Sequence, residues 1–188
     1  IHYFSLAANQ NEPRAQFFLG LIYYEGRSVT RDINKAIHYL SLAANQNDPQ
    51  AQFGLGLIYY AGKFGKQNIK KGKYFIMLAS KNGLREANFA HGFLLHEGKY
   101  VKKDISEAIS YYKEASSFNN QYSKNNLGII YKHGYDKIEG NPCNAIVYFE
   151  EAIQQKKDYL SMYNLAHIYI YDLSSNQNIN KSIDLLIK

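Results

Sequence analysis

The sequence predicts an all-α protein, an α-solenoid of antiparallel helix pairs with about five repeats of about 36 residues in a single array over 1–188. Three observations predict it. Ile1–Gly26 and Ile37–Gly62 agree at 21 of 26 positions at an offset of 36, and near-identity at a fixed offset marks tandem copies of one structural unit. Two glycine series keep the same step, Gly20, Gly56, Gly92, Gly128 and Gly26, Gly62, Gly98, Gly134. A third series, Asp32, Asn68, Asp104, Asn141 and Asn178, places a helix-capping residue at intervals of 36, 36, 37 and 37.

Each unit reads as helix A, a loop and helix B. Pro13 opens the first A helix, because a proline in the first turn sacrifices no intrahelical hydrogen bond. Ala15, Leu19 and Tyr23 fall at a spacing of four and form its inner face. Gly20 leaves room for a neighbouring helix, and Gly26 supplies the left-handed residue that ends helix A. Asp32 then caps helix B, Ile33–Asn45, with Ala36, Tyr39 and Ala43 inward. Asp104 and Glu107 have capping-box spacing. Unit boundaries are expected at 1–12 (partial), 13–48, 49–84, 85–120, 121–157 and 158–188, with the array cut mid-repeat at both ends. In the fourth unit the loop Tyr135–Asn141 is one residue longer. In the fifth, Ala166 and Asp172 replace the two glycines, so a looser corner is expected there.

Composition narrows function more than it defines it. A hydrophobic fraction of 46% and a charged fraction of 20% are those of a folded chain. Cys143 is the only cysteine, which excludes a disulfide framework or a thiolate metal cluster and favours a cytoplasmic setting. Apolar runs are interrupted long before a membrane span, so no transmembrane segment is expected. No phosphate loop, nucleophile elbow or carboxylate pair is present, and Gly54 and Gly56 read as packing glycines inside a helix. The expectation is a non-enzyme with no cofactor and no metal; His91, at the position of Leu19, Leu55 and Leu127, reads as a core histidine.

The run Ala51-Gln52-Phe53, Leu55-Gly56, Tyr59 and Gly62, with Asp32, Lys35-Ala36, Tyr39 and Ala43-Ala44, resembles the Sel1-like repeat, a relative of the tetratricopeptide repeat. The resemblance covers essentially the whole chain. It implies a right-handed α-solenoid whose concave face is built mainly from A helices, and an adaptor or scaffold role, including in signalling. Such arrays are often joined to other domains, so a regulatory region of a larger enzyme such as a protein kinase is the alternative.

Opposite the inner stripe of each A helix runs a second one, the candidate groove for a protein or peptide partner. It comprises Arg14, Phe17, Leu21, Tyr24; Gln50, Phe53, Leu57, Tyr60; Glu86, Phe89, Phe93, His96; and Tyr122, Asn125, Ile129, Lys132, with Leu160, Tyr163, His167 and Ile170 as the fifth set. The first three sets are aromatic and apolar, and the fourth is polar, with Lys132 and His133 able to meet an acidic group. The competing reading makes Phe17, Phe53 and Phe89 packing residues. The loop cations Arg27, Arg31, Lys63, Lys66, Lys70, Lys71, Lys99, Lys102 and Lys103 form a basic edge. Nucleic-acid binding through that edge is a further alternative, disfavoured by the apolar groove positions. Bare array ends would expose apolar surface able to self-associate. If the groove assignment holds, replacing Tyr60 and His96 together with Ala leaves helicity unchanged by circular dichroism and abolishes partner capture; undiminished capture would count against it.

Overall fold

The computed structural model describes residues 1–62, 66–99, 101–135, 138–155 and 158–172. Among them are α1 (His2–Asn9), α2 (Pro13–Glu25), α3 (Ile33–Asn45), α4 (Pro49–Ala61), α5 (Ile69–Lys81), α6 (Arg85–Glu97), α7 (Ile105–Ser117), α8 (Gln121–His133), α9 (Pro142–Gln155) and α10 (Tyr159–His167). The even-numbered helices are A helices and the odd-numbered ones B helices. Two compact units result: Ile1–Leu94 with Lys99–Val101, and Leu95–Gly98 with Lys102–Lys188.

The turns are set by backbone chemistry that recurs with the repeat. At each A-to-B junction the B-helix cap accepts from the backbone three residues on: Asp32 from Lys35 N–H at 2.9 Å, Asn68 from Lys71 at 3.0 Å, Asp104 from Glu107 at 2.9 Å and Asn141 from Asn144 at 3.0 Å. The caps' own N–H groups donate back to A-helix carbonyls that would otherwise be orphaned: Asp32 to Tyr23, Asn68 to Tyr59, Asp104 to Leu95 and Asn141 to Tyr131. That bond corrects the capping-box expectation. The Asp104 N–H is taken by Leu95 O at 3.1 Å, so only the forward half of the box forms. The fifth cap, Asn178, lies outside the described residues.

Gly26, Gly62, Gly98 and Gly134 all have φ near +70° (71, 66, 66 and 68). At Gly134 the longer loop folds back, with Tyr135 and Ile138 exchanging backbone hydrogen bonds at 2.9 and 2.7 Å. In the fifth unit, where no glycine ends the A helix, α10 runs on into a π-helical turn, Ile168–Asp172.

The opposite turns, B to A, use a signal the spacing argument overlooks. Asn11, Asn47 and Asn119 adopt φ of 66°, 64° and 64°, and Gly83 takes the same place with φ 86°. Each closes a helix through the 6→1 bond of a Schellman turn, such as Asp48 N–H to Ala43 O at 3.2 Å. Glu12, Asp48, Asn120 and Asp158 then cap the A helices with their side chains.

In the first unit, Leu40, Ala43, Ala44, Ala51, Leu55 and Ile58 form a buried cluster with Phe17, Tyr24, Tyr59 and Phe75 packed on it. In the second, Ala145, Phe149, Leu165, Ile168 and Tyr169 do the same with Ile129 and Tyr131. Helices of a pair approach closely because Gly20, Gly56 and Gly128 carry no side chain: a Cβ would lie 2.6 Å from Leu40 Cγ, 2.7 Å from Ile76 Cγ1 and 2.5 Å from Phe149 Cε1. Beside these contacts, rings of the paired helices stack face to face, Tyr23 on Tyr39 at 5.8 Å and Tyr131 on Tyr148 at 5.5 Å.

Gly54 departs from the packing expectation. A Cβ there meets only Leu40 Cδ1 and Cδ2, at 3.6 and 3.7 Å, which is ordinary contact. The two glycines of α4 therefore respond oppositely to Ala. Gly54→Ala is expected to stabilise the chain by about 0.5–1 kcal/mol through helix propensity. Gly56→Ala, crowded by Ile76 and the Gly72 carbonyl, is expected to destabilise by about 1–3 kcal/mol. Thermal and urea unfolding of both variants checks the sign.

His91 is 1% exposed, and its Nδ1 lies 3.1 Å from Ser80 Oγ. The Ser80 hydroxyl donates to Asn88 Oδ1 at 2.8 Å, so the imidazole donates from Nδ1. Burial, aided by the charge of Lys81, pushes the His91 pKa from 6.5 down to about 4. The folded pKa lies below the unfolded one, so stability is intact above pH 6.5 and falls as pH drops from 6.5 to about 4. A loss on the order of 3 kcal/mol is expected over that window. It should vanish in His91→Leu, the residue of the sister repeats; an unchanged pH profile in that variant would exclude His91 as the source.

Candidate peptide-binding groove

Six of the groove positions converge in the first unit. Phe17 and Leu21 from α2, Gln50, Phe53 and Leu57 from α4, and Glu86 from α6 line one cleft of about 300 Å³, joined by Gly54 and Leu84. They meet because equivalent A-helix positions in successive repeats lie side by side on one face. Leu57 is 47% exposed, while Phe17 and Phe53 are half-buried; both wall the cleft, and Phe17 also packs on the Leu40–Leu55 cluster. Phe89 and Phe93 lie further along α6, ring centroids 6.3 Å apart, with Phe93 partly exposed.

The remaining positions are placed differently. Arg14 borders a separate apolar cleft of about 530 Å³ with Tyr3, Phe4, Glu12, Ala15 and Phe18. Tyr24 packs partly buried against the Leu40–Leu55 cluster. Tyr60 is half-buried, its backbone running so close to Gly72 that a Cβ there would lie 2.6 Å from Tyr60 N.

In the second unit, Tyr122 is exposed and Ile129 leans on the Phe149 cluster. Asn125 does not line an open surface. It is 5% exposed, and Ser161 Oγ of α10 lies 3.0 Å from its side-chain oxygen and also bonds the Asp158 carboxylate. Lys132 is half-buried; desolvation lowers its pKa, opposed by the Asp172 carboxylate. His96 sits edge-on to Tyr112 and Tyr135, with Nδ1 3.3 Å from the Tyr112 hydroxyl, and burial lowers its pKa. It packs as well as faces outward, so removing it disturbs a contact and is a less clean surface probe than Leu57. In the fifth set, Leu160 and Tyr163 are exposed, and His167 and Ile170 are half-buried.

A buried polar device escaped the sequence reading. Gln16 and Gln52, at 1% and 0% exposure, occupy the same place in α2 and α4. Each donates to a carbonyl of the preceding B helix, Ala8 O at 3.3 Å and Ala44 O at 3.2 Å. Each also accepts from the side chain that follows the next B helix, Gln46 Nε2 and Asn82 Nδ2, both at 2.9 Å. These bonds fix the lateral register of the A helices whose outer faces make the cleft. Gln at an offset of 36 was the available signal.

Several loop cations are engaged within their own surroundings. Arg27 pairs with Glu25 at 3.2 Å, and Arg31 donates to the Glu25 carbonyl at 3.1 Å. Lys71 lies over the Tyr59 ring at 5.5 Å and Lys103 over Tyr135 at 4.9 Å. Lys63 lies outside the described residues. Among the described residues, no group of three or more His, Cys, Asp or Glu side chains is placed to hold a metal ion, and no helix is long and apolar enough to cross a membrane.

The Sel1 repeat family matches residues 1–12, 13–48, 49–84, 85–117, 121–157 and 160–188. Among solved structures, the chain is similar to a protective antigen with an SLR fold from uropathogenic Escherichia coli strains, with 25% identity and a TM-score of 0.83 over 97% of this chain and 40% of that one. It is also similar to a Sel1 repeat protein from Oxalobacter formigenes, with 28% identity and a TM-score of 0.75 over 98% of this chain and 76% of that one. The chain thus spans well under half the length of the first of these relatives. None of the curated proteins matches it. The fold is the Sel1-repeat solenoid; proteins built from this repeat generally mediate protein–protein interaction and are generally non-catalytic.

Proposed function

The chain belongs to the Sel1 repeat family, and on that premise we propose that it is an interaction scaffold whose A-helix face takes an apolar segment of a partner protein. The observation that carries this reading is the cleft between α2, α4 and α6, whose walls are Phe17, Leu21, Phe53, Leu57 and Leu84 and whose polar lining is limited to Gln50 and Glu86. An apolar side chain seated there removes its own surface and that of Leu57 from water. One such anchor contributes about 1.5–3 kcal/mol. Contacts along Phe89 and Phe93 extend the same face, so micromolar affinity for a short segment is the expected scale.

Leu57→Lys tests the reading without touching the core, because the residue is 47% exposed. Helicity and unfolding midpoint are expected to match wild type within about 0.5 kcal/mol. In affinity capture with the two proteins side by side, the partners held by wild type should be lost from the variant. Identical captured sets would overturn the assignment.

A further inference from the structure

The two near-identical repeats differ where the cleft opens. Position for position, Phe18 of α2 corresponds to Gly54 of α4, and Phe4 of α1 to Leu40 of α3. In the first copy, Phe18 packs against Phe4 and Phe17 at ring distances of 5.4 Å each and stands 40% exposed. In the second, the side chain is absent. A Cβ placed on Gly54 would meet nothing closer than Leu40 Cδ1 at 3.6 Å, and the glycine lines the cleft with Phe17, Phe53 and Leu57. Where the first repeat carries an aromatic ring, the second carries a glycine that lines an apolar cleft. Neither a left-handed backbone nor a close helix approach explains this glycine, since it lies within α4 and tolerates a Cβ. Glu86, exposed in the first turn of α6, is the one ionisable residue among those lining the cleft, and no ion pair reaches it among the described residues.

We propose that the space at Gly54 is the receptor for a large apolar side chain, Phe- or Leu-sized, of a partner peptide that carries Lys or Arg beside that anchor, with the cation meeting Glu86. This rests on the groove reading and gives it a ligand class. The apolar walls select the anchor, and the carboxylate selects the sign of its neighbour. Seating the anchor strengthens binding at least about tenfold. The exposed ion pair adds about threefold and weakens with salt.

The probe is a phage-displayed library of random dodecapeptides selected on the full 188-residue chain. Selected sequences are then synthesised with a fluorescein label and titrated by anisotropy against wild type, Gly54→Phe and Glu86→Lys. The expected result is a selected set sharing a large apolar residue within two positions of Lys or Arg. Gly54→Phe should weaken binding at least about tenfold with helicity retained. Glu86→Lys should weaken it about threefold at low salt, with the difference shrinking at high salt. The Gly54 amide resonance of wild type should shift on peptide addition, a readout that needs no variant to fold. Peptides with apolar anchors that bind all three proteins equally and leave Gly54 unshifted would overturn this inference while sparing the groove reading. A library that yields no apolar-anchored peptide would overturn both.

Discussion

Everything in each unit depends on how closely the two helices of a pair can lie. At Gly20, Gly56 and Gly128 the partner side chain comes within 2.5–2.7 Å of where a Cβ would stand. That approach makes the stacked ring pairs possible and lets the loop close with a cap N–H reaching an A-helix carbonyl. A methyl group at any of these points would separate the helices and strain all of those contacts together. The repeat length follows from the same constraint. Once the pair distance and both turn types are fixed, one more residue must go into a loop, as it does between Tyr135 and Asn141.

Packing alone would let neighbouring repeats slide, since Leu, Ala and Tyr surfaces fit in more than one register. The buried glutamines remove that freedom. Burying an amide without partners costs about 1–3 kcal/mol. Gln16 and Gln52 avoid the cost only where an Ala carbonyl and a Gln or Asn side chain arrive together. Unit two replaces the device with charge: Lys124, buried at the same place in α8, reaches Glu151 at 3.5 Å.

The helix pairs, the closing glycines and the B-helix caps were legible in the sequence because each rests on a local backbone requirement that repeats. The cleft was partly legible, since the outward stripe of an amphipathic helix follows from its inner one. What could not be read were residues whose roles differ within one helix turn. Gly54 and Gly56 are two residues and about 200° apart, one opening on the cleft and the other pressed on Ile76. Asn125 lies in the outward stripe yet is covered by α10, which only the tertiary arrangement reveals. Gln16 and Gln52 gave no sign of burial, because glutamine is a residue type found mostly at the surface. The left-handed asparagines hid in plain sight at the same offset as the glycines.

The paired exchange of Phe4 and Phe18 for Leu40 and Gly54 also bears on how the chain finds its fold. With 21 of 26 residues shared between copies, α4 could take the place of α2 on α1, or α2 the place of α4 on the opposite side of α3, and satisfy most contacts of the native partner. Such swaps are a characteristic error of repeat chains. Docking α4 on α1 would set Gly54 against Phe4 and leave a void where Phe18 belongs. Setting α2 in the place of α4 would force Phe18 against Leu40, which is 1% exposed. Two coupled differences thus act as a key against internal mispairing, so the open space beside Gly54 also keeps the copies from being mistaken for one another.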